Sequence, residues 1–126
     1  MGGFRRFKGL SCSGDPRGIP MSDTLLLLCT CPDAETAAKI ARALVEERLA
    51  ACVNRVAGVA SVYRWREEIH EDSEVLLLIK TPRDRLEALR ARLVELHPYE
   101  LPELIALDVV AGHVPYLDWL REQTRV

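Results

Sequence analysis

Four β-prone segments and two amphipathic helical patterns alternate along this chain, and their order predicts an α+β sandwich. The β-prone segments are residues 24–30, 52–65, 74–80 and 104–110, with helical spacing after the first and the third. A short further helix follows the last. The resulting β-α-β-β-α-β order is the split βαβ pattern, a ferredoxin-like sheet with both helices on one face. At 126 residues and 48% hydrophobic content, one domain with a real core is expected.

Each element has its own justification. Residues 24–30 form an unbroken apolar run, as expected of a central strand buried on both faces. Pro32 and Asp33 then open a helix whose Ala37, Ile40, Ala41, Leu44 and Val45 fall on one face. That helix should end near Arg48–Leu49. The second β segment is interrupted at Ala57-Gly58, which predicts a bulge. Polar turns are expected at residues 66–68 and again at 70–73, before the apolar strand 74–80. Thr81, Pro82 and Asp84 read as cap, first turn and dipole partner of a second helix, with Leu86, Leu89, Leu93 and Leu96 as its apolar face. Gly112 ends the last strand, and Pro115 opens a helix carrying Tyr116, Leu117, Trp119 and Leu120.

A single sheet with helices on one side leaves its other side uncovered. That side is apolar here, so burial by another subunit is expected from packing alone.

Composition narrows the function classes. Residues 1–20 carry a net +3, leaving −5 on residues 21–126 of the overall −2. An acidic domain with only two Trp, three Tyr and no Phe, the chain's two Phe falling in residues 1–20, lacks the basic stripe and stacking aromatics of a nucleic-acid surface. No apolar run reaches the roughly 18 residues of a membrane helix. Residues 1–20 are rich in Gly, Arg, Ser and Pro, without periodicity or a secretory core. They read as a tail or an upstream start, with the domain proper at 21–126. Four cysteines without a signal peptide point to the cytoplasm and to free thiols.

The segment His97-Pro98-Tyr99-Glu100-Leu101-Pro102-Glu103 carries more chemistry than a connector requires. Two prolines fix φ and bias His97 and Leu101 away from the helical region. The loop should hold one shape and present His97, Tyr99 and Glu103. Its other reading is a helix stop followed by the start of a strand.

Several segments, in order and correctly spaced, resemble the CutA family of divalent-cation tolerance proteins. They are Cys29-Thr30 with Pro32-Asp33, residues 47–54, residues 61–65, Glu74 with Ile79-Lys80-Thr81, His97-Pro98-Tyr99 with Pro102-Glu103, and residues 116–120. The resemblance implies a ferredoxin-like subunit of a compact homotrimer, similar in architecture to the PII signalling proteins that bind small effectors between subunits. It also implies a role linked to copper and other divalent cations, and no established enzymatic activity. The family's proposed copper ligands are a cysteine ending the first strand and two adjacent histidines. Cys29 and His97 match them, whereas Leu96 stands in place of the other histidine. Glu67 departs from the family's glycine in the turn after Trp65.

Thiolate and imidazole suit copper or zinc, and Cys31 would join Cys29 on one side if the strand stayed extended. The alternative is that Cys29 is a small buried hydrophobe. Lys80 is read as an ion-pair partner of Glu74 or Glu103, or as the cation for an anionic ligand. Tyr63, Trp65 and Trp119 are read as interface anchors. Together with Lys80, Tyr99 and Glu103 they also make up a candidate cleft at that interface. Enzymes on this fold are disfavoured. An acylphosphatase would need a glycine-rich anion loop with an arginine, which residues 29–34 lack, and a cysteine hydrolase would have only Cys29 and His97. A metallochaperone would want a CxxC loop. The expected function is therefore a non-catalytic homotrimer that binds a metal ion or small effector. A purely structural, scaffolding trimer is the alternative.

Overall fold

The computed structural model describes residues 22–126; the expected tail at 1–20, with Cys12, lies outside them. Strand β1 (Thr24–Cys31) is followed by helix α1 (Ala34–Glu46), β2 (Cys52–Trp65), β3 (Glu68–Pro82), α2 (Leu86–Leu96), β4 (Ile105–Asp108) and α3 (Val114–Gln123). The strands form one antiparallel sheet in the order β2-β3-β1-β4. This is the ferredoxin-like arrangement.

Burial alternates along the two central strands. Leu25, Leu27, Cys29 and Cys31 of β1 point to the helices, as do Val75, Leu77 and Ile79 of β3, against Ile40 and Leu44 of α1 and Leu89 and Leu93 of α2. The opposite face holds half-buried Leu26, Leu28, Leu76 and Leu78, with Ile105 and Leu107 of β4 exposed at 52% and 47%. Both central strands therefore look uniformly apolar, although only one face is covered within the chain.

Local signals explain most boundaries. The Asp33 carboxylate accepts from the Thr36 amide at 2.8 Å and caps α1, while Arg48, at φ 59°, turns the chain out of it. The expected bulge is present: the β2–β3 register shifts between Val56 and Val59, with Gly58 at φ +78°.

Three expectations are corrected. Residues 70–73 are not a turn but part of β3, paired one by one with residues 60–63 of β2. Their polarity reflects a ribbon exposed on both faces. Thr81 does not cap α2; its hydroxyl donates to the Leu49 carbonyl at 2.7 Å, and a single 3-10 turn at Arg83–Arg85 precedes the helix. The last strand begins at Ile105, because the β1 carbonyl next in line, that of Thr30, is occupied by His97.

Candidate functional site

Beyond Leu28, β1 has no β4 partner. The loop after α2 covers that edge instead. The His97 ring, only 7% exposed, places Nε2 2.8 Å from the Thr30 carbonyl and Nδ1 3.1 Å from the Tyr99 amide. These partners require Nε2 to donate and Nδ1 to accept, which is the neutral tautomer protonated at Nε2. His97 thus pins the loop to the strand end.

Because β1 stays extended to residue 31, Cys29 and Cys31 both point inward and both are fully buried. Their sulfurs and a His97 ring nitrogen lie within 4.8 Å of one another. The Cys29 thiol is pushed up by its hydrogen bond to Cys31, then by burial and by the charges of Glu103 and Glu74. Cys31, accepting that bond, is pulled down. Spacing alone raised Cys31 as a companion of Cys29 if the strand continued, and the strand does continue.

Across the sheet from the thiols, on the uncovered face, Tyr63, Trp65, Glu74, Tyr99 and Glu103 line a cavity of about 590 Å³ together with Thr30. The Tyr99 hydroxyl donates to Glu74 at 2.7 Å, and that of Tyr63 donates to Asp72. Burial, then the Glu74 bond, pushes Tyr99 up; the Asp72 bond does the same for Tyr63. Both phenols stay protonated. Glu74 was not singled out by sequence reasoning as a cleft residue, and its alternation on β3 was the available signal.

Two residues assigned to the same cleft lie elsewhere. Lys80 sits six residues along β3 from Glu74, about 20 Å away at strand rise. Its ammonium donates to Asn54 and approaches the Cys52 sulfur at 3.9 Å, not Glu74 or Glu103. Trp119 stacks on Tyr116 within α3, centroids 5.6 Å apart. Of the residues expected in one cleft, the chain brings together Tyr63, Trp65, Tyr99 and Glu103.

Fold and site together define a ferredoxin-like domain with a buried thiol–imidazole cluster behind the sheet and an acidic, aromatic cavity in front of it. Residues 25–123 match the model of the CutA1 divalent ion tolerance protein family, and the chain belongs to that family. It is 54% identical over 99 residues to the divalent-cation tolerance protein CutA of Thermus thermophilus, covering 79% of this chain and 96% of the relative. It is 50% identical over 95 residues to human protein CutA, covering 75% of this chain and 53% of that longer protein. Among solved structures, CutA from Xylella fastidiosa superposes with a TM-score of 0.81 at 46% identity, over 82% of this chain and all of that one.

Proposed function

We propose that the protein acts in divalent-metal tolerance as a non-catalytic, cytoplasmic homotrimer that captures a metal ion at Cys29, Cys31 and His97. The observation that carries this reading is the approach of two sulfurs and an imidazole nitrogen to within 4.8 Å. Metal–sulfur bonds of about 2.3 Å in tetrahedral geometry would place two thiolates about 3.8 Å apart, inside the 4.8 Å that spans the three donors. The donor set favours copper or zinc over hard cations. Cys31 supplies a third donor in a chain where Leu96 replaces the family's second histidine.

Both nitrogens of His97 already carry hydrogen bonds. Ligation therefore gives up one bond worth about 1 kcal/mol net, small against the roughly 10–16 kcal/mol of a structural zinc site. The same geometry supports the non-catalytic reading. A cysteine hydrolase would need a substrate to reach the Cys29 sulfur, which is fully buried.

Calorimetry with copper and zinc, on protein whose mass is verified by light scattering, tests the site. One tight equivalent per subunit is expected for wild type, lost in Cys29→Ser and in His97→Ala and weakened in Cys31→Ser. Circular dichroism of each variant separates lost ligation from lost fold. Binding unchanged by all three substitutions in folded protein would remove the site.

A further inference from the structure

We propose that ligation by His97 unlatches Tyr99, so that the loop at residues 98–103 loosens when the thiol–imidazole site is filled. The proposal rests on the metal reading above and adds a conformational response to it. Every contact it uses lies within one chain, and none of the atoms has to be open to solvent. It therefore holds equally with other copies packed over the sheet face.

The chemistry of the imidazole ring carries the argument. In the neutral ring, Nε2 donates to the Thr30 carbonyl at 2.8 Å and Nδ1 accepts from the Tyr99 amide at 3.1 Å. A metal ion takes the lone pair of a ring nitrogen that carries no proton. Ligation through Nδ1 uses the lone pair that Tyr99 holds, while Nε2 keeps its proton and its Thr30 partner. That remaining bond is the orienting contact usual for a ligating histidine. Ligation through Nε2 first moves the ring proton to Nδ1, which then faces the Tyr99 N–H donor to donor. The Tyr99 amide loses its acceptor by either route, and the Nδ1 route gives up that bond alone.

The loss matters because little else holds the loop. Among the described residues no backbone–backbone hydrogen bond reaches 98–103, and Pro98 and Pro102 have no N–H to give. The other ties are the Tyr99 hydroxyl on Glu74 at 2.7 Å and the pair of Arg66 with Glu100, of the exposed kind that contributes little. Tyr99 thus supplies both inner ties. Its amide bond is partly buried, and a backbone N–H deprived of its partner there must turn to water or to a new acceptor. The peptide between Pro98 and Tyr99 shifts, and the bond to Glu74 is what resists it. Leu96 and Leu104 pack against the core on either side, which confines the movement to the loop. Loop and site are linked reciprocally: whatever weakens the hold on the loop favours ligation.

Zinc, which is diamagnetic, is the probe. It is added to isotope-labelled full-length protein held at one mass in light scattering, so that cover by other copies stays constant. The scalar coupling through the hydrogen bond between the Tyr99 amide nitrogen and His97 Nδ1 should be present without zinc and absent at saturation. Amide exchange at Tyr99, Glu100 and Leu101 should rise at least about tenfold, while Leu27 in β1 is unchanged. Tyr99→Phe removes the Glu74 tie and should tighten zinc about threefold or more in calorimetry, as one hydrogen bond no longer opposes the shift.

A coupling that persists at zinc saturation, or unchanged exchange across the loop, overturns the proposal while the metal reading stands. So does a zinc affinity unchanged or weakened in Tyr99→Phe protein of wild-type circular dichroism and mass. Zinc that does not bind wild type at all removes the metal reading and this proposal with it, and calorimetry separates that failure from the others.

Discussion

Arg66 and Glu67 close the β2–β3 hairpin with φ of 51° and 71°, the pair of positive angles that a two-residue type I′ turn demands. Trp65 pairs directly with Glu68 across it. A side chain at such an angle costs about 1–2 kcal/mol, partly offset by the freedom glycine loses on folding. Glu67→Gly should therefore stabilise the protein by about 0.5–1 kcal/mol, read as a higher denaturant midpoint; a lower midpoint would show that the Glu67 side chain contributes more than its strain. The position was legible as a departure from a glycine, and the structure shows the turn formed regardless. His97 was legible as a functional candidate, but not as the clasp between Thr30 and Tyr99. That role depends on where β4 stops pairing, and no local pattern encodes it. Lys80 was misplaced for a related reason: its neighbours are set by cross-strand register to Cys52 and Asn54, which only the folded sheet defines.

Among the elements, α1 was the most readable, because its start is chemical as well as periodic. The Thr36 amide holds the Asp33 carboxyl below the usual carboxylate range. A depressed folded value means the contribution of the charged cap is complete above the unfolded value of about 3.9 and is lost as pH falls through the lower folded one. Asn caps nearly as well without titrating. The difference in melting temperature between wild type and Asp33→Asn should therefore shift in favour of the variant as pH falls below the unfolded value of about 3.9. Melts followed by circular dichroism check this, and a pH-independent difference would remove the cap's titration as a cause. The β2–β3 hairpin was less readable. Residues 68–73 alternate without an apolar face because neither side of that ribbon is covered within the chain, and a polar stretch of this kind looks the same as a turn. Thr81 fits the composition of a helix cap, yet its hydroxyl serves the Leu49 carbonyl, a contact between segments 32 residues apart.

For the whole molecule, the uncovered sheet face is the feature that sequence and structure describe alike. Ile105 and Leu107 continue the half-buried row of Leu26, Leu28, Leu76 and Leu78 onto the β4 edge. A face of this kind is expected to close against other copies of the chain. The double variant Ile105→Lys with Leu107→Lys should drop from the mass of the proposed trimer to that of a monomer in light scattering, and an unchanged mass above the monomer's would place the interface elsewhere.

Beyond the bulge at Gly58, β2 and β3 run on as a two-stranded arm with Val62 66% and Ile69 58% exposed. An isolated two-stranded ribbon is marginal in water. The arm can thus be only as ordered as the company it keeps. Its amides should exchange with solvent more readily as the protein is diluted, while those of β1 hold. Because Tyr63 and Trp65 sit on that arm, the proposed association of subunits would tie the completeness of the cavity to protein concentration.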